Sequence, residues 1–230
     1  MLPMLLRYLP ALCGVMLGVV LTGLSQVRPS VFQSWNEVQF IVPVVRSTDS
    51  EGKPINKITA VLNGIARFGR SVDLTDGRVG IEFDFRANKH LTFVTSALYR
   101  GDEVVENVRH FETRLAVGPT FSALWDRVSF RDRNLYEYRV RSGRNDISVY
   151  RNRFQMSFPL KHDGNVMFSP FLSEEAFYDF HANRVNNNEL FLGITRRLSS
   201  RTDLDIAYIR NDTAPANVNG LSLNLKIMLR

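Results

Sequence analysis

The chain has 230 residues, a formal net charge of +6 and a single cysteine. That length suits one sizeable domain or one barrel, and a lone Cys13 excludes a disulfide framework or a cysteine metal site within the chain. The 29 Lys and Arg are scattered among apolar residues with no basic block and no recognisable module, so the signature of a nucleic-acid reader is missing. Nor is there a G-x-G-x-x-G or Walker-type loop, which argues against a nucleotide enzyme.

The N-terminus, "MLPMLLRYLPALCGVMLGVVLTGLSQ", carries one charge, Arg7, ahead of an uncharged stretch from Tyr8 to Leu24. A basic start, an apolar centre and a small, polar end are the pattern of a secretory signal. Residues 1–26 are therefore expected to be removed on export, leaving 27–230 as one domain. No A-x-A-like triplet marks the cleavage site, and a retained anchor helix is the alternative reading. Its apolar stretch would be at the short limit for a span.

Beyond the export segment the chain alternates with period two, as strands do. Expected strands are Glu37–Arg46, Lys57–Phe68, residues 78–87, Leu91–Arg100, Arg109–Gly118 and Val128–Arg141. They continue with residues 148–160, Val166–Asp179, Asn187–Leu198, residues 203–210 and the last eleven residues. In "RVGIEFDFRA", Val79, Ile81, Phe83 and Phe85 form one face and Arg78, Glu82, Asp84 and Arg86 the other. In "GLSLNLKIMLR", leucines and an isoleucine take every second place from Leu221 to Leu229. Turn chemistry falls between these segments: "TDG" at 75–77, "NKH" at 88–90, "SGRND" at 142–146, "KHDG" at 161–164, "SSR" at 199–201 and "NDTAPAN" at 211–217.

Consecutive strands joined by short turns give an antiparallel up-and-down meander. Segments near ten residues match the roughly 9–11 that cross a bilayer obliquely. Both ends of an outer-membrane barrel normally face the same side, so an even number is expected. The segments number eleven; a turn near Asp132 in "GPTFSALWDRVSFRDRN" raises the count to twelve, with ten as the alternative.

Three features point the oily faces at lipid and the charged faces inward. The polar faces carry both signs at matching heights, and through the 142–146 hairpin Glu137 should lie near Arg151. The oily faces are almost free of charge. Trp35, Tyr99, Trp125, Tyr136, Tyr138, Tyr150, Tyr178 and Tyr208 fall towards strand ends, as an aromatic girdle would. The expected fold is an all-β membrane barrel of about twelve strands in the bacterial outer membrane, with a soluble periplasmic barrel as the alternative.

The stretches "DRNLYEYR", "YRNRF", "FSPFLSEEAFYD" and "YIRNDTAPANVNGLSLNL" resemble a family of uncharacterised bacterial outer-membrane-type β-barrel proteins, catalogued as a domain of unknown function. The resemblance covers most of the chain from about Trp35. It implies secretion and a barrel, and it implies no reaction.

One constellation stands out as a candidate site: a ladder of Arg131, Arg133, Glu137, Arg139, Arg151, Arg153 and Glu175 that would line the lumen and favour small anionic solutes. In "LSEEAFYD" either Glu174 or Glu175 could be the inward acid. The ladder's simpler role is to pair off and fill a narrow barrel. His110 and Glu112 share a face and are the candidates for a base and its partner should the barrel be a lipid hydrolase, although no serine is tied to them. His90 and His162 read as solvated turn residues. His181 has no ligand set around it, and no metal or cofactor is expected. The partners expected are the lipid bilayer and the outer-membrane assembly machinery. The function expected is a structural or small pore-forming component, with a lipid-modifying hydrolase and a soluble lipid or ligand carrier as alternatives.

Overall fold

The computed structural model describes residues 30–49, 52–69, 73–105, 108–125, 127–162, 165–213 and 216–229. The export segment expected at 1–26 lies outside them. The strands, in chain order, are β1 (Ser30–Thr48), β2 (Pro54–Phe68), β3 (Leu74–Arg86), β4 (Leu91–Val105), β5 (Val108–Trp125) and β6 (Val128–Arg141). There follow β7 (Ile147–Ser157), β8 (Leu160–His162), β9 (Asn165–Asp179), β10 (Arg184–Ser199), β11 (Thr202–Thr213) and β12 (Asn217–Met228).

The twelve strands form one sheet in which β9 also pairs with β10, so eleven of them close a ring and the three-residue β8 hangs outside on β9. Neighbours run antiparallel except at the seam, where Ser30–Ile41 of β1 lies parallel to Asn217–Met228 of β12. A meander of odd count must close this way, because its first and last strands point in the same direction. The expectation of an even ring assumed an antiparallel seam. The parallel ladder closes the barrel equally well and leaves no edge to manage. Ser30 and Asn217 therefore share one rim with the 142–146 turn, and Thr48 and Met228 share the other.

Each of the eleven segments expected from alternation is found in the ring. The turn expected near Asp132 is not there: residues 128–141 are one strand, and the antiparallel pairing of β5 with β6 begins at Trp125 and Val128. The Asp-Gly of "TDG" is likewise no turn. Thr75, Asp76 and Gly77 lie inside β3, with Asp76 paired across to Asp102 and 5% exposed. Two other turns follow their chemistry, and those expected at 161–164 and 211–217 lie partly outside the described residues. Gly143 takes φ +66°, and the Asp146 carboxylate accepts the Arg141 N–H at 3.0 Å. The Asn88 side chain accepts from the N–H groups of His90 and Leu91 at 2.8 and 3.0 Å.

Alternation sorts the side chains decisively. Leu192 is 60% exposed, Leu62, Val79, Phe93, Leu115, Val117, Tyr136 and Leu221 are all exposed, and each faces outward from the ring. Their immediate neighbours face the interior: along β12, Ser222, Asn224 and Lys226 line the cavity between the outward leucines. The tyrosines Tyr136, Tyr150 and Tyr178 form one outward row across β6, β7 and β9. Trp35 does not join them. It is buried inside, in an apolar cluster with Phe171, Phe191, Ala207, Ile209 and Val218.

The seam depends on one glycine. A Cβ on Gly220 would meet the Gln33 carbonyl oxygen at 2.1 Å, on the backbone of the parallel partner strand. Backbone cannot swing aside as a side-chain tip can, so Gly220→Ala should cost at least the roughly 1–3 kcal/mol of an overpacked site. The expected result is a smaller fraction of chain refolding into the compact, heat-shiftable form on unheated gels. A normal yield would show that the seam is looser than its geometry.

Candidate functional site

One cavity of about 1830 Å³ follows the barrel interior. Its lining runs from Arg184, Asn186 and Ala216 near the Ser30 rim to Thr59, Asp84, Arg131 and Lys226 near the Thr48 rim. The strand period that sends leucine outward sends charge into this space.

The charges are ordered by register. Several directly opposite pairs carry the same sign: Arg78 with Arg100, Asp76 with Asp102, Arg114 with Arg139, Arg133 with Arg153, and Glu175 with Glu189. Like charges placed opposite each other destabilise a sheet. In the belt the arginines mostly reach along the strand or diagonally to an acid two residues away. Arg78 Nη2 is 2.6 Å from Asp76 Oδ2, and Arg100 Nε is 3.0 Å from the same oxygen. Arg100 also reaches Asp102 at 2.9 Å and Glu112 at 4.0 Å. Arg114 takes Glu112 and approaches Glu137 at 3.9 Å. Glu137 then accepts from Arg139 and Arg151, both at 2.6 Å, and Arg151 continues to Glu175 at 2.7 Å. The result is an unbroken belt of ion pairs from Asp76 on β3 to Glu175 on β9, with Glu137 at its centre and only 1% exposed.

All seven residues of the sequence-derived ladder line the cavity. Glu137, Arg139, Arg151 and Glu175 belong to the belt. Arg133 pairs with Glu82 of β3, a contact that passes over β4 and β5 and so crosses the interior. Arg153 donates to the Ser173 hydroxyl at 3.1 Å and lies 5.0 Å over the Phe191 ring, and Arg131 makes no ion pair among the described residues. Glu175 is the inward acid of its pair. Glu174 shares its register row with Phe154 and Asp132, on the other face.

His110 and Glu112 do share a face, but Glu112 is held by Arg114 and Arg100. No hydrogen bond or ion pair joins it to His110 among the described residues. His90 Nδ1 lies 3.0 Å from the Ser122 carbonyl oxygen in its turn. Among the described residues no three His, Cys, Asp or Glu gather to hold a metal.

Sequence reasoning missed half of the belt. Asp76 was hidden in an apparent turn, and Arg100 and Arg114 were passed over because only local hairpin pairs were compared. The signal was present as shared parity: Arg78, Glu82 and Asp84 alternate with the apolar face of β3 just as Arg131, Arg133 and Glu137 do on β6. Also missed was the opposite wall, where Asn187, Glu189, Asn211, Asn217 and Asn224 stand among fewer arginines. There Arg67 of β2 stacks over Trp35 at 3.2 Å.

Comparison with curated proteins finds no match. Among solved structures, the chain is similar to the anion-selective porin from Comamonas acidovorans, with 13% identity and a TM-score of 0.37. The alignment covers 77% of this chain and 59% of the porin, so the chain spans less than two thirds of that protein's length. A family model described as a protein of unknown function, DUF2490, matches residues 32–220, and the chain belongs to that family.

Proposed function

We propose that the protein is an outer-membrane β-barrel that passes small solutes through its charged interior. The observation that carries this reading is the pairing of one apolar outer wall with one cavity lined from rim to rim by charge. Large apolar side chains exposed on strand after strand round the ring are suited to lipid as their solvent. On this reading residues 1–26 direct export and are removed, and the assembly machinery of the outer membrane inserts the barrel. The belt holds one wall rigid. Arg131, with Asp84 and Glu82 as its charge neighbours, and Arg153, directly opposite Glu175 on β9, lie outside the ion pairs of the belt and bias passage towards small anions.

Two measurements test this. Cells expressing the full chain are fractionated, and the envelope fraction is run unheated and boiled. A folded band in the outer membrane that shifts on boiling is expected, whereas recovery from the periplasm without detergent would sink the reading. Purified barrel is then reconstituted in planar bilayers under a salt gradient. The expected reversal potential favours anions and changes sign in the Arg131→Glu, Arg153→Glu double variant. A folded, inserted barrel with no conductance would leave the interior as a structural filling only.

A further inference from the structure

The two rims of the barrel carry different charge. The connections at the Thr48 rim, residues 46–57, 86–91, 126–128, 158–165 and 196–203, hold ten Lys or Arg against five Asp or Glu. Those at the Ser30 rim, residues 68–74, 102–109, 141–147, 179–184 and 210–217, hold six against seven. Of the five acids at the basic rim, Glu51, Asp126 and Asp163 lie outside the described residues.

Pairing widens the difference. At the Ser30 rim Arg109 takes Glu103 at 2.9 Å, Arg210 takes Asp212 at 3.0 Å, and Asp102 accepts from Arg100 at 2.9 Å. At the Thr48 rim Arg197 takes Asp203 at 3.2 Å. Arg46, Lys89, Arg127, Lys161, Arg196 and Arg201 are all exposed there, and none makes an ion pair among the described residues.

An exposed base is ordinary; the position of these six is not. Each borders the apolar outer wall. Arg46 follows the exposed Val44 and Val45, and Arg127 comes just after Leu124 and Trp125, 71% and 61% exposed. Lys161 follows the exposed Leu160, and Arg196 lies between the exposed Ile194 and Leu198. Lys89 and Arg201 sit in the turns that join such walls, Lys89 beyond the exposed, directly opposite Phe85 and Phe93. With that wall in hydrocarbon, the long stems of these bases lie on apolar surface and their charges reach the headgroup layer.

We infer that the Thr48 rim is a collar for the phosphate groups of anionic phospholipids, held by these six bases. The inference rests on the reading that the barrel spans a membrane. Distribution selects the partner. The six are spread over all five connections, one or two to each, and are not gathered in one patch. A nucleic acid or an acidic protein would meet a basic cluster on one face. A doubly phosphorylated glycolipid would also call for several bases at one place. A ring of single bases is filled by many headgroups of one charge each.

The test reconstitutes the full barrel in phosphatidylcholine bilayers carrying a trace of spin-labelled lipid and reads the motionally restricted fraction. Spin-labelled phosphatidylglycerol should be retained over spin-labelled phosphatidylcholine roughly fivefold, as one basic contact per headgroup gives. Salt near 1 M, where the Debye length is about 3 Å, should remove the preference. The variant Lys89→Gln, Arg127→Gln, Lys161→Gln, Arg201→Gln should lose most of it, while Arg144→Gln, Arg184→Gln at the other rim should keep it. A retained gel shift on boiling shows that each variant is folded. Equal retention of the two lipids, or a preference that survives in the fourfold variant, would overturn the collar. Spin-labelled lipopolysaccharide retained above phosphatidylglycerol would overturn the phospholipid assignment. The two claims separate cleanly. Restricted lipid without preference removes the collar and keeps the membrane barrel, whereas no restricted lipid of either kind removes the membrane reading itself.

Discussion

Replacing Leu223 by arginine should cost about 2–4 kcal/mol of folding free energy in phospholipid bilayers, while the same change at the next residue, Asn224→Arg, should stay within about 0.5 kcal/mol. The two positions are adjacent on β12 and differ only in the face they occupy. Leu223 shares its outward row with Ile206 of β11, so an arginine there must be buried in hydrocarbon or drag headgroups and water inward. Asn224 faces the cavity, directly opposite Asp205 on β11 and Glu37 on β1, two acids that would receive the new charge. The check is reversible denaturant unfolding of both variants in bilayers of one composition. Equal, small effects at both positions would mean that the leucine face meets water rather than lipid. A larger loss at Asn224 than at Leu223 would mean the barrel's faces are the reverse of those described.

Much of the barrel was legible because a strand with one wet and one dry face writes its period into the chain. Eleven segments could be read that way and eleven strands close the ring. What failed did so where both faces are polar or where the partner lies far away in sequence. Arg131, Asp132, Arg133 and Asn134 are four polar residues in succession, so alternation vanished and a turn was read. The outward pair is in fact tied into the wall: Asn152 Nδ2 donates to Asp132 Oδ1 at 2.7 Å and Asn134 Nδ2 to Asp132 Oδ2 at 3.0 Å. Asp76-Gly77 carries the strongest short turn signal, yet three arginines reach the Asp76 carboxylate inside the barrel. Local turn chemistry lost there to long-range charge pairing.

The candidate site divides along the same line. Glu137 and Arg151 belong to one hairpin, so their proximity follows from the turn alone. Arg133 with Glu82, separated by 51 residues, and Arg100 with Asp76, separated by 24, depend on barrel closure and curvature, which no local pattern encodes. The parallel seam is the extreme case. Which strands meet at closure is decided by the whole ring, so counting segments could yield eleven without revealing that eleven is the number that closes.

The belt makes a second large prediction at its centre. Glu137 has the Arg139 and Arg151 guanidiniums at 2.6 Å and Arg114 at 3.9 Å, and it is the most enclosed acid of the network. Replacing it with leucine keeps bulk but leaves three interior arginines facing one another, with Arg114 itself 6% exposed and unable to turn to solvent. Removing one member of a buried ion-pair set typically costs about 3–5 kcal/mol, because the partners keep their desolvation penalty and lose the compensating charge. Glu137→Leu should therefore lower the unfolding midpoint strongly, and Glu137→Gln, which can still accept hydrogen bonds, should do so less. The decisive comparison is the double variant Glu137→Leu, Arg151→Leu. Taking out one acid and one of its arginines together should recover part of the loss, with a coupling energy of about 1–3 kcal/mol in a double-mutant cycle. Strict additivity of the two single changes would show that these side chains are solvated separately and that the belt adds no rigidity to the wall. Recovery would mean the belt acts as one unit. In that case the arginines of the belt are committed to holding the barrel's shape, and on the proposed reading any selection of solutes would rest on Arg131 and Arg153, which lie outside it.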